Sequence, residues 1–173
     1  VKADELRLRY APVVVTSCEW RTIGLADPDQ LAEQVFAIVE RQPDPDLHDL
    51  YRIIERVALE AFSRHADQTG LMARLASLGR GFDTPAELRN MLTALSRLRQ
   101  SDRELLQRRH WDSLDLRELA ESLRTSPEQV RAQLTRAEER FLGKARRFDR
   151  ELVSADVVTV VVSLKPGERR RYP

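Results

Sequence analysis

Along residues 85–142 the apolar positions return every three or four residues, with polar positions between them. Leu88, Met91, Leu92, Leu95 and Leu98 form one stripe. Leu116, Leu119, Ala120 and Leu123 form a second, and Val130, Leu134, Ala137 and Phe141 a third. That spacing follows one face of a 3.6-residue turn, so each stripe predicts an amphipathic helix. The start signals agree. Thr84-Pro85-Ala86-Glu87, Asp115-Leu116-Arg117-Glu118 and Ser126-Pro127-Glu128-Gln129 each read as a capping box, two of them with Pro in the first turn. A further helix opens at Ser101 or Asp102 and holds Leu105 and Leu106. Capped helices separated by short turns predict a compact bundle.

The front of the chain has the same character. Ala3–Val15 carries Leu6, Leu8, Tyr10 and a Val13–Val15 run, which suits a helix or a strand. Asp27-Pro28 reads as an N-cap with Pro at the first helical position, followed by Leu31, Val35, Phe36, Ile38 and Val39 on one face. The prolines of Gln42–Asp46 must end that helix, because Pro lacks the amide hydrogen the next turn needs. Leu47, Leu50, Tyr51, Ile54, Val57, Ala58 and Phe62 then mark a third helix. Ala66–Asp83 contains three glycines and irregular apolar positions, the pattern of a linker, although Leu71–Leu78 suits a short helix. Val153–Leu164 is rich in Val and Thr and reads as a strand, followed by a turn at Lys165-Pro166-Gly167 and a basic end. The fold expected is all-α: two small helical domains, 1–66 and 84–149, a linker at 67–83, and a β-prone extension over 150–173.

Composition narrows this. Aromatic residues are only 6% of the chain and the apolar residues are mainly Leu, Ala and Val, which favours helices over sheets. The single cysteine, Cys18, excludes an internal disulfide and a multi-cysteine zinc site, and suits a small buried residue in a reducing cytoplasm. No apolar run is long enough to cross a bilayer, and Val1–Glu5 lacks the pattern of a secretory signal, so no membrane insertion is expected. His48, His65 and His110 are far apart, and no phosphate loop or nucleophile elbow is present. The expectation is a protein without catalytic activity, metal or cofactor. Charge is uneven: residues 1–60 hold 7 Lys/Arg against 12 Asp/Glu, whereas residues 101–150 hold 12 against 10. An acidic front and a mildly basic back suit different partners.

Leu116–Leu123, a turn at Arg124-Thr125, and Pro127–Leu142 have the layout of a helix-turn-helix, whose second helix enters a DNA major groove. The expected DNA-facing residues are Arg117, Ser126, Gln129, Arg131, Gln133, Thr135, Arg136 and Arg140. Arg and Gln read base edges and Arg also binds phosphate, while a Ser N-cap leaves backbone amides facing an anion. A plain helical hairpin with a solvated Arg/Glu face fits the same pattern, and Glu128, Glu138 and Glu139 speak for it.

Leu98–Phe141, above all RELLQRRHWDSLDLRELAESLRTSPEQVRAQLTRA, closely resembles region 4 of bacterial RNA polymerase sigma factors of the small extracytoplasmic-function (ECF) class. The likeness has departures. Arg124 and Ser113 stand where that family usually has glycine, and His110 where it has tyrosine. Glycine relieves the cost of positive φ, so Arg124 implies a strained or shifted turn. A weaker resemblance to region 2 runs through Asp27–Phe36 and Leu50–Leu59. It implies that Asp29, Gln30, Glu33 and Gln34 grip core RNA polymerase, and that Tyr51, Arg52 and Arg56 hold melted promoter DNA. The alternative for Tyr51 and Phe62 is a core role. The resemblance implies core polymerase and promoter DNA as partners and leaves room for an anti-sigma factor. The segment after Asp149 has no counterpart in it; as a strand it would fold back, pair with a second copy or hold a regulator.

Overall fold

The computed structural model describes residues 2–22, 25–66 and 85–165. They form eight α-helices and, among the described residues, no strand. These are α1 (Lys2–Arg21), α2 (Pro28–Val39), α3 (Leu47–Ala66), α4 (Pro85–Ser96), α5 (Gln100–His110), α6 (Leu116–Leu123), α7 (Pro127–Ala145) and α8 (Asp156–Ser163). The chain divides into two compact units. The first is Val1–Arg74 with Glu121–Arg124, and the second is Leu75–Ala120 with Thr125–Pro173. The expected linker at 67–83, the short helix considered at Leu71–Leu78 and the basic end after Lys165 lie outside the described residues.

In the first unit α1, α2 and α3 pack against one another. Tyr10, Val14, Cys18 and Trp20 come from α1, Leu31, Val35, Phe36 and Val39 from α2, and Leu47, Leu50, Tyr51, Ile54 and Val57 from α3, all buried. Burial of each large side chain contributes roughly 1.5–3 kcal/mol, so this three-way seam holds the unit. The Val13–Val15 run is helical: α1 continues to Arg21 with Pro12 inside it, and Leu8 points to solvent. The entry to α2 follows its sequence signals. Asp27 Oδ1 accepts from the amides of Asp29 at 3.0 Å and Gln30 at 3.4 Å, and Pro28 occupies the first turn. At the start of α3, Asp46 Oδ1 accepts from the Asp49 amide at 2.8 Å, while Asp49 Oδ2 accepts from the Asp46 amide at 3.4 Å. This reciprocal cap starts α3 directly after the proline break.

In the second unit α4, α5 and α8 pack on α7, and α8 also packs on α5. Met91, Leu95, Leu105, Leu106, Leu114, Leu119, Val130, Leu134, Phe141, Leu142, Val157 and Val161 are among its buried apolar residues. The strand expected at Val153–Leu164 is not formed; Asp156–Ser163 is helix. Its buried positions are Val157, Val161 and Leu164, spaced four and three apart, which is the helical period. A Val-rich stretch carries β propensity, but burial of one helical face against α5 and α7 outweighs it. Local bonds start the turn: the Val153 amide donates to Asp156 Oδ2 at 2.8 Å and the Asp156 amide to the Val153 carbonyl at 2.9 Å. The indole of Trp111 donates to the Val161 carbonyl at 2.7 Å, pinning α8 to the end of α5.

Candidate nucleic-acid interface

The helix-turn-helix is built from local signals. Asp115 and Glu118 form a complete capping box at the start of α6: the Asp115 amide donates to Glu118 Oε2 at 3.0 Å and the Glu118 amide to Asp115 Oδ1 at 2.8 Å. At the far end, the Thr125 amide donates to the Ala120 carbonyl at 3.0 Å and the Arg124 amide to the Glu121 carbonyl at 3.1 Å. This pair of bonds is a Schellman motif, which requires positive φ at the residue between, and Arg124 has φ 51°. Ser113, just after α5, has φ 59°. Both positions where glycine was expected therefore keep a glycine-like backbone with a side chain attached.

Ser126 caps α7 by accepting from the Gln129 amide at 3.2 Å, with Pro127 in the first turn. Leu119, Ala120, Val130 and Leu134 are buried, as the helix-turn-helix pattern requires. The outward side of α7 presents Gln129, Arg131, Gln133, Thr135 and Arg136, all exposed, together with Glu128 and Glu139. Arg117 is exposed on α6. Two candidates are committed to internal bonds. The Gln129 side-chain oxygen accepts from the Thr125 hydroxyl, which fixes the amide plane beside the turn. Thr135 donates its hydroxyl to the Arg131 carbonyl at 3.1 Å. Arg140 differs from expectation: its Nη1 lies 2.8 and 2.9 Å from the two oxygens of Asp102, a carboxylate at the start of α5 that is almost wholly buried. Arg140 is a brace between α5 and α7. Sequence reading missed this because Asp102 looked like a helix-start residue. With Arg140 engaged, the outward face balances Arg131 and Arg136 against Glu128 and Glu139.

Behind this face His110 Nε2 lies 3.4 Å from Glu138 Oε1 without hydrogen-bond alignment. Burial pushes the imidazole down to about 4, and neighbouring Arg109 adds to the effect. Burial raises the Glu138 carboxyl above its ordinary range, with Arg109 opposing. The imidazole is therefore neutral at pH 7, a flat ring with a polar edge at the position where tyrosine was expected. Arg109 reaches the Leu114 carbonyl at 2.6 Å and holds the α5–α6 corner.

In the first unit the polymerase candidates Asp29, Gln30, Glu33 and Gln34 are all exposed along α2. Glu33 is already paired: Arg7 Nη2 lies 2.6 Å from both its oxygens, Nη1 lies 3.2 Å from Glu40, and the guanidinium stacks over Phe36 at 5.1 Å. Of the promoter-melting candidates, Arg52 and Arg56 are exposed, but Tyr51 is only 1% exposed. Its ring is part of the core and is not offered to an unstacked base, so a platform role for Tyr51 is corrected to a packing one. Arg21 lies over Trp20 at 3.9 Å and over Tyr51 at 5.8 Å, on the same buried cluster. Cys18 is fully buried. Among the described residues no group of three or more His, Cys, Asp or Glu is arranged to hold a metal, and no helix is long and apolar enough to cross a membrane.

Comparison with known proteins finds no family model, no curated protein and no solved structure that matches this chain.

Proposed function

We propose that this chain is a sigma-like transcription factor of the cytoplasm. Its helix-turn-helix, α6 and α7, binds promoter DNA, and the outward residues of α2 are offered to core RNA polymerase. One observation carries the reading: a capped, Schellman-terminated helix followed at a tight turn by a longer capped helix that turns Arg131, Gln133 and Arg136 to solvent. The N-terminal part of such a second helix reads base edges while phosphates set the register. The balanced charge of the α7 face makes non-specific attraction to phosphate weak, so recognition depends on groove contacts by Arg131, Gln133 and Arg136.

The burial of Tyr51 favours a second reading, a DNA-binding regulator that does not open promoters. The acidic residues on α7 favour a third, a module that binds polymerase or an anti-sigma partner without DNA. Reconstitution with core polymerase on genomic DNA fragments, followed by footprinting and permanganate probing, separates them. An open bubble supports the first. Protection without a bubble supports the second. Polymerase binding with no DNA protection leaves the third.

A further inference from the structure

Arg124 combines two features that glycine would not. It holds φ 51° at a Schellman position, a conformation costly to any residue with a Cβ. Its side chain is also committed. Nη2 lies 3.0 Å from Asp46 Oδ2 and 3.4 Å from both oxygens of Asp49, and Nε lies 3.3 Å from Asp46 Oδ2. Both carboxylates and Glu121–Arg124 belong to the first unit. A second bond holds the same segment, with His48 Nδ1 2.9 Å from the Ser122 carbonyl. Burial works against the charge on Asp46, yet the Asp49 amide and the Arg124 guanidinium hold its carboxyl below the usual range. Strained backbone persists where its surroundings over-determine it; here the two Schellman bonds set the backbone, and two carboxylates separately hold the guanidinium.

We propose that Asp46 and Asp49 act as an internal stand-in for a DNA phosphate, occupying Arg124 and keeping it from the nucleic acid. This inference rests on the DNA-binding reading above. Arg124 stands two residues before Ser126, the N-cap of the second helix, where a helix-turn-helix meets the phosphate backbone. A guanidinium fork suits carboxylate and phosphate alike, so the two acceptors compete for it. The carboxylates lower affinity for bulk DNA and make tight binding conditional on their release.

The test is a double-mutant cycle on the full chain, with a pool of random-sequence 40-base-pair duplexes as probe, titrated over a range of salt concentrations. Asp46→Asn with Asp49→Asn removes the charge while keeping a good N-cap residue at 46 and an acceptor oxygen at 49; unchanged circular dichroism and melting confirm the fold. Expected is about five-fold tighter binding, with the dependence of log K on log salt steeper by about 0.9, the value of one added phosphate contact. In the Arg124→Ala background the same pair of substitutions should bring no gain. A gain that survives Arg124→Ala reflects general charge and overturns the inference. Unchanged affinity on removing the carboxylates overturns it too, with DNA binding intact. Failure of every protein in the cycle to bind duplex DNA overturns the DNA reading and this inference with it.

Discussion

The backbone at Arg124 makes a quantitative demand on stability. Replacing Arg124 by Ala removes the guanidinium but keeps a Cβ at φ 51°. Replacing it by Gly removes the guanidinium and the Cβ together. The ion pair is lost in both variants, so their difference isolates the backbone term. A left-handed conformation costs an L-residue roughly 1–2 kcal/mol, and glycine escapes that cost. Glycine also gives the unfolded chain more freedom, which returns roughly 0.4–1 kcal/mol. The Gly variant should therefore be about 1 kcal/mol more stable than the Ala variant. In a chain of this size that corresponds to about 2–4 °C in melting temperature. Wild type should lie within about 1 kcal/mol of the Ala variant, because Arg124 is more than half exposed and an exposed pair contributes little. Urea denaturation followed by circular dichroism measures all three. If Ala is as stable as Gly, the Schellman reading of this turn is wrong. Ser113→Gly against Ser113→Ala repeats the comparison at φ 59°, with no ion pair involved.

Arg131→Ala with Arg136→Ala should weaken DNA binding and lower the salt slope, by about 1.8 if both arginines touch phosphate; unchanged affinity and slope would remove α7 from the interface. The His110 imidazole has a folded value near 4, below its unfolded value, so the unfolded chain takes up the proton first. Its contribution is full above pH 6.5 and is lost as pH falls toward 4, by about 2 kcal/mol after allowance for solvent access. The raised Glu138 carboxyl acts with the opposite sign, favouring the folded form as it protonates. His110→Phe should flatten the loss between pH 6.5 and 4 in urea titrations, and an unaltered pH profile would refute the assignment. Val161→Ala should destabilise the second unit by roughly 1–3 kcal/mol, as befits a fully buried valine, whereas Val158→Ala on the exposed side of α8 should change little; equal effects would deny α8 its place in the core.

Much of this structure was legible in residue order because the signals were local. Capping residues and apolar spacing located α2, α3, α6 and α7 to within a few residues, since each start bond spans only two or three positions. The strained turn at Arg124 followed from a pattern that has glycine there; the positive φ at Ser113 was not drawn from it. What escaped was decided by distant partners. Val153–Leu164 becomes a helix because α5 and α7 supply a surface for Val157 and Val161, and in the sequence its run of Val and Thr outweighs the Asp156 start signal within it. Arg140 is exposed, as expected, but its pairing with Asp102, 38 positions earlier, could not be read from the sequence. Tyr51 was open between a stacking and a core role, and its burial places it in the core. The outward arginines of α7 were readable, because a helix's polar side needs no partner to define it.

The bond from Trp111 to Val161 joins residues 50 positions apart. Helices form from neighbouring residues as the chain emerges, whereas this contact cannot form before the later residue exists. During synthesis α5, α6 and α7 are therefore complete as segments while the surface that α8 will cover is still bare. Maturation of the second unit waits for residues 157–164 to leave the ribosome, at a pace of roughly 5–20 residues per second. Until then the nascent chain exposes apolar surface on α5 and α7, the period in which a chaperone has most to bind.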